Sequence, residues 1–234
     1  MSVFENNRRI ARNTLLLYGR KAVTMLIALY SSRVLLQYLE IDDFGLYGLV
    51  GSIILVFTSL KSTFAASVQR FLNVNKEENI ARKNEIFCMG MIIHVLIAVV
   101  FVLLAEIGGT ILLPNLNLNS ERLIVAGSIL HFTMFSAALS IIAVPFDALA
   151  MANEKFDALA VISIIDSFLR LCVIFILPFS PIQRVVFYAM LLLCVAIVHI
   201  FMIGGYCYKN FKTIVRFHFV KDNVLFKRMT AFAG

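Results

Sequence analysis

The sequence has 234 residues and a mean hydropathy of +0.90, with 61% hydrophobic and only 15% charged residues. Such a composition excludes an ordinary water-soluble domain, which needs much less apolar sequence to fill a core of this size. The formal charge of +7 favours anionic partners, but the placement of the basic residues, considered below, argues against nucleic acid.

Six apolar stretches are long enough to cross a membrane as helices, because a hydrocarbon layer of about 30 Å requires roughly 20 helical residues. Long continuous runs indicate helices rather than the alternating strands of a barrel. We therefore predict an all-α, polytopic membrane protein. Its bundle of six transmembrane helices is expected at approximately residues 13–39, 44–72, 86–113, 123–152, 156–179 and 185–208.

Several predicted spans carry signals at their ends. Pro114 and Pro178 are expected to end the third and fifth spans, since proline cannot continue a helix. Asp42 and Asp43 are expected to cap the second span. At the sixth span, Ser180-Pro181-Ile182-Gln183 predicts an N-cap at Ser180 with a capping-box partner at Gln183.

The basic residues of the loops are distributed unequally between the two sides of the membrane. Only Arg122 and Arg184 lie opposite the N-terminus. Because cytoplasmic loops are enriched in Lys and Arg, both termini are predicted to be cytoplasmic, and attraction to anionic membrane lipids is expected as well. Nucleic acid is not expected as a partner. The thirteen basic residues on the N-terminal side are Arg8, Arg9, Arg12, Lys76, Arg82, Lys83, Lys155, Lys209, Lys212, Arg216, Lys221, Lys227 and Arg228.

Residues 209–234 are predicted to form a cytoplasmic amphipathic linker. Asp222 is a suitable N-cap, and the pattern predicts a helix lying on the inner leaflet. The final TAFAG resembles the opening of another span, so the linker is expected to lead to a second lobe. The residues at helical spacing are Val224, Leu225, Arg228, Met229 and Phe232.

The fifth predicted span carries two full charges where lipid is expected. Asp166 and Arg170 are four residues apart and can pair on one helix face, in a sector that also holds Ser163 and Ser167. A lone charge at this depth costs roughly 2.5 to 3.5 kcal/mol to insert, so a helix that serves packing alone would avoid both. We therefore expect this sector to face a polar, functional interior.

Other ionisable residues extend this polar interior. Arg33, Lys61 and Arg170 are predicted to be deep, with Arg70 and Asp147 nearer the inner face. A cationic cavity of this kind suits an anionic group, and an Arg fork matches phosphate or diphosphate oxygens two at a time. The remaining His residues of the spans are expected to be hydrogen-bonded interior residues rather than proton carriers: His94, His131 and His199.

Three segments carry a resemblance to a known family: NNRRIARNTLLLYGRKAVTMLIALYSSRVLLQYLEIDDFGLYGLVGSIILVF, TFAASVQRFLN and VPFDALAMANEKFDALAVISIIDSFLRL. They resemble the polysaccharide (O-antigen type) flippases of the multidrug and oligosaccharidyl-lipid exporter superfamily. The resemblance implies a transporter of two six-helix lobes in a bacterial inner membrane. Its substrate would be an undecaprenyl-diphosphate-linked oligosaccharide for surface polysaccharide, O-antigen, lipopolysaccharide or capsule, held in a cationic cavity between the lobes. Arg33 and Arg70 fall within the matching segments.

The chain covers only the first of the two lobes that the resemblance implies. Because alternating access rocks one half against the other, we expect a truncated product, or a chain that pairs with another copy or a separate second lobe. Asp147 and Asp166 are the residues expected to respond to a coupling ion. No metal or cofactor is predicted, since the four cysteines lack metal-ligand spacing.

Three alternatives stay open at this stage. A drug or cation exporter of the same superfamily is disfavoured by the basic cavity. A multi-pass glycosyl or acyl transferase of lipid-linked glycan synthesis could hold a divalent metal at the EIDD cluster, residues 40–43. A non-transporting fragment or scaffold would be consistent with the half length.

Overall fold

The computed structural model describes residues 3–58, 61–74, 79–116 and 118–231. These residues contain helices, turns and no strand, which confirms the all-α prediction. Their ten α-helices are α1 (Val3–Tyr38), α2 (Ile41–Thr58), α3 (Lys61–Val74), α4 (Ile80–Leu112), α5 (Ser120–Ile142), α6 (Val144–Ala152), α7 (Phe156–Ile176), α8 (Arg184–Asn210), α9 (Lys212–Val215) and α10 (Asn223–Ala231).

Four helical segments of the described chain are long and apolar enough to cross a membrane. They agree with the third to sixth predicted spans. The first predicted span lies within α1, and the second falls on α2 and α3, between which residues 59 and 60 lie outside the described part. The total of six spans therefore stays a prediction. The four segments are Ile80–Asn115, Ser120–Ala152, Phe156–Phe179 and Arg184–Asn210.

Prolines determine where three helices end. Pro114 and Pro178 each lie in a 3-10 turn that follows α4 and α7 respectively, as predicted. Pro145 lacks an N–H and cannot continue the hydrogen bonds of α5, so the fourth predicted span is divided between α5 and α6 at Ala143.

The predicted start of the sixth span at residue 185 agrees with α8, but the predicted N-cap at Ser180 is wrong by one turn. The Ser180 hydroxyl donates to the Ile182 carbonyl over 2.7 Å and closes a local turn, and the helix begins only at Arg184. The aspartates of the second span also differ from the prediction. Asp42 and Asp43 lie inside the first turn of α2, where they complement the helix dipole instead of capping the helix.

The helices pack into two buried clusters, one toward each end of the bundle. One cluster joins α5 to α4, α8 and α2, and its fully buried residues include Ile129, Leu177 and Val185. The other cluster joins α3, α4 and α6, around Phe87 and Leu149. α1 packs against α7, which in turn packs against α8. Since lipid is as apolar as these side chains, close van der Waals contact is what holds such helices together.

The C-terminal helix is docked on the bundle. Leu225 and Met229 are 2% and 1% exposed, α10 packs against α3 and α4, and the Ser67 hydroxyl donates to the Met229 carbonyl over 2.7 Å. Leu225 and Met229 therefore face protein rather than the leaflet, whereas Val224 is 61% exposed. The placement of this helix on the inner leaflet stays a prediction. Asp222 does cap α10, as predicted, since its Oδ1 accepts from the N–H groups of Val224 and Leu225.

Candidate functional site

The charged pair of α7 forms as the sequence predicts. Arg170 and Asp166 are one helical turn apart, and Arg170 Nε donates to Asp166 Oδ2 over 2.8 Å. The Asp166 side chain is only 16% exposed, whereas that of Arg170 is 45% exposed. Within the described part of the chain, the two Nη groups of Arg170 make no hydrogen bond, so most of its donor fork is available to a ligand.

A histidine of the neighbouring helix reaches the same carboxylate. His199 Nδ1 of α8 lies 3.5 Å from Asp166 Oδ1. Both atoms are buried, and neither makes a hydrogen bond to a described residue, because 3.5 Å is too long for a good one. Asp166 thus lies between Arg170 and His199.

Two small cavities meet at Arg170. A cavity of 230 Å³ lies between α1, α7 and α8, and another of 220 Å³ lies between α2, α5, α7 and α8. Their polar lining is mainly hydroxyl groups, which suits hydrated or hydrogen-bonding ligands. These hydroxyl groups are Thr24, Ser31, Ser32, Ser167 and Tyr188 in the first cavity and Tyr47, Thr133 and Ser136 in the second.

Two tyrosines that line these cavities contact each other. The rings of Tyr47 on α2 and Tyr188 on α8 meet edge to face, with centroids 5.1 Å apart. Tyr188 and His199 are eleven residues apart, which is close to three helical turns and places them on one face of α8. That spacing was the only signal in the sequence that could have assigned His199 to the site.

Arg33 does not join Arg170. It is exposed on α1, and the described residues provide it with no ion pair. At about 100° per residue it lies about 180° around α1 from Thr24, which faces α7. Arg33 consequently lines neither of the two cavities that meet at Arg170.

Arg70 and Asp147 line neither of the two cavities at Arg170. Arg70 is exposed near the end of α3, and Asp147 is half-buried in α6. Lys61 begins α3, but its side chain lies outside the described part. Of the six predicted residues, Asp166 and Arg170 are in direct contact. A single cavity that contains all the cations stays a prediction.

The acidic cluster at residues 40–43 connects the start of α2 to the start of α5. Asp42 pairs with Arg122 over 3.0 Å, and burial raises the pKa of Asp43, an effect that Arg122 opposes. Arg184 Nη1 donates to the Tyr38 carbonyl over 3.2 Å. Among the described residues, no three His, Cys, Asp or Glu side chains are grouped closely enough to hold a metal ion. The loops enclose a polar pocket of 530 Å³.

Comparisons with known proteins agree with this architecture. The family described as "Polysaccharide biosynthesis protein" matches residues 10–234. A MOP superfamily transporter from Pyrococcus furiosus superimposes with a TM-score of 0.76 at 13% identity, over 96% of this chain and 50% of that one. An outward-facing multidrug resistance transporter of the MATE family gives a TM-score of 0.75 at 13% identity, over 94% of this chain and 50% of that one. No curated protein sequence matches.

The two structural matches show a shared fold. The chain spans about half the length of each solved transporter, so it has the architecture of half of such a protein.

Proposed function

The chain belongs to the polysaccharide biosynthesis protein family, and from this membership we propose that it acts as one lobe of a lipid-linked oligosaccharide flippase. The transported molecule is an undecaprenyl-diphosphate-linked oligosaccharide that crosses a bacterial inner membrane during the synthesis of surface polysaccharide such as O-antigen, lipopolysaccharide or capsule. Both termini are cytoplasmic in this proposal, as the distribution of basic residues favours. A second six-helix lobe, or another copy of the chain, completes the passage.

One observation supports the proposal beyond the family: Arg170 lines two cavities whose walls combine hydroxyl groups with aliphatic side chains, and its two Nη groups make no hydrogen bond to a described residue. A guanidinium suits diphosphate oxygens, because it makes paired hydrogen bonds to them and keeps its charge at any physiological pH. The surrounding hydroxyl groups add donors and acceptors for a polar headgroup.

The other predicted residues have roles along the same passage. Arg33, Lys61 and Arg70 are proposed to contact the anionic headgroup at other depths, together with Arg170. Arg33 is exposed on α1 without a described partner, and this placement leaves its guanidinium free for a ligand or for the second lobe. Asp147 and Asp166 are proposed to respond to a coupling ion.

The proposal can be tested by flipping in liposomes. The chain is reconstituted, alone and together with a second-lobe chain, with a fluorescent undecaprenyl-diphosphate-linked sugar, and chemical quenching reports which leaflet holds the fluorophore. We expect Arg170→Gln to slow flipping by about ten- to a hundredfold, the equivalent of a charged hydrogen bond of about 1.5–3 kcal/mol. Arg33→Gln is expected to slow flipping as well.

Lys155→Gln is the matched control, because Lys155 is an exposed cation in the turn between α6 and α7, away from both cavities. It should flip at the unsubstituted rate. Unchanged flipping by both arginine variants would contradict the proposed anionic substrate.

A cation exporter is the second function that shares this fold, since one structural match is a multidrug resistance transporter. A cationic drug would meet Arg170 as a like charge, which opposes binding in a medium of low dielectric constant. Faster export of a cationic dye by Arg170→Gln than by the unsubstituted chain would favour this alternative.

A further inference from the structure

Two basic side chains, those of Arg170 and His199, approach different oxygens of the Asp166 carboxylate. Arg170 Nε donates to Asp166 Oδ2 over 2.8 Å, while His199 Nδ1 lies 3.5 Å from Asp166 Oδ1. Both Oδ1 and Nδ1 are buried without a hydrogen bond to a described residue. Arg is charged at all physiological pH values, whereas a neutral imidazole has a nitrogen that can accept a proton, so His199 is the basic member of this cluster that can gain a charge.

The net charge of the cluster decides whether it attracts an anion. With His199 neutral, the carboxylate of Asp166 cancels the charge of Arg170. When Nδ1 takes a proton from water, an N–H faces Asp166 Oδ1 and can form a charge-assisted hydrogen bond there, and the cluster gains one positive charge. The negative charge of Asp166 is then shared between two cations, so it neutralises the charge of Arg170 less fully.

The other charged groups around α8 lie away from His199. On α5, His131 is paired with Glu106 of α4 at 3.2 Å. On α6, Asp147 adjoins Phe146, whose carbonyl accepts from Cys207, about 12 Å farther along α8 at roughly 1.5 Å per residue. On α2, Tyr47 meets Tyr188, nearer the opposite end of α8. On α9, Lys212 lies over Tyr208. α7 contributes Asp166 and Arg170, and its first turn holds Asp157, which acts on Tyr206, seven residues beyond His199 on α8.

We propose that His199 is a positioning residue that couples a proton to anion binding at Arg170. Protonation of His199 draws Asp166 toward α8 and strengthens the hold of Arg170 on a diphosphate. Because coupling between two ligands is reciprocal, a bound diphosphate also favours the proton. This inference rests on the proposed function only in taking a diphosphate as the ligand.

The test measures binding of inorganic pyrophosphate to the purified full chain in lipid nanodiscs, by calorimetry at pH 5.5 and pH 8. We expect the unsubstituted chain to bind on the order of tenfold more tightly at pH 5.5, beyond the change that pyrophosphate's own protonation causes. His199→Gln supplies that background, because it keeps an amide in place but cannot gain charge. His131→Gln is the matched control and should retain the full pH dependence.

A second variant is expected to strengthen binding, and it leaves His199 unchanged. Asp166→Asn removes the charge that neutralises Arg170, so at pH 8 it should bind pyrophosphate more tightly than the unsubstituted chain does at the same pH. The inference is overturned if His199→Gln keeps the pH dependence, if Asp166→Asn binds no better at pH 8, or if the unsubstituted chain binds no pyrophosphate. Normal pyrophosphate binding without flipping of lipid-linked sugar would instead contradict the proposed function.

Discussion

Gly109 of α4 lies against Leu130 of α5 with no space for a side chain. A methyl group at this position would overlap Leu130 Cδ2, and Leu130 is itself only 3% exposed, so it cannot move aside into open space. We expect Gly109→Ala to destabilise the fold by about 1–3 kcal/mol, the usual cost of overpacking. Gly108→Ala is the control, because a methyl group there meets nothing within 4 Å. Equal thermal midpoints for the two variants in detergent would show that α4 and α5 are not packed this closely.

The residues of the charged site were only partly predictable. The pairing of Asp166 with Arg170 follows from their spacing, because residues four apart on a helix are neighbours whatever the rest of the protein does. The approach of His199 depends on how α7 packs against α8, and no local rule gives that rotation. Contacts within one helix were therefore predicted, whereas the contact between helices was missed.

At the scale of elements, the helix ends that local chemistry determines were predicted, whereas features that depend on neighbouring groups were not. Pro114 and Pro178 end helices wherever they occur, because a missing N–H and a fixed φ act locally. The Ser180 side chain could cap a helix or close a turn, and in the structure its hydrogen bond to the Ile182 carbonyl closes a turn. The apolar face of α10 was correctly predicted as a face, but a helix pattern cannot say whether lipid or protein covers it.

The cap of α10 gives a pH prediction at this scale. The Leu225 N–H is the main cause that lowers the pKa of Asp222, and Arg82, 3.4 Å away, lowers it further. Since the folded pKa lies below the usual value of about 3.9, the cap stabilises fully above that pH and its contribution is lost as the pH falls through the folded pKa. NMR titration of the Asp222 carboxyl carbon should give a midpoint below 3.9. Arg82→Gln should raise the midpoint, and a midpoint unaffected by this change would disprove the contact with Arg82.

At the scale of the molecule, α1 occupies an unusual place in the bundle. It packs mainly against α7, and large apolar side chains along it are exposed, including Leu26 at 67% and Tyr30 at 53%. Arg33 lies on the side of α1 that faces away from α7. A charge is tolerated at such a position if water or protein covers it, whereas lipid would oppose it. The second lobe that we propose would provide such protein cover for this face.

Chemical labelling can decide whether that face of α1 is wet. In a background without the four native cysteines, Arg33→Cys should react with a membrane-impermeant maleimide added to intact vesicles if the proposed water-filled passage reaches this depth. Phe201→Cys is the matched comparison: Phe201 is 74% exposed on the apolar helix α8 and should react only with a lipid-soluble reagent. If Arg33→Cys also reacts only with the lipid-soluble reagent, α1 faces acyl chains, and Arg33 has no place in a passage between lobes.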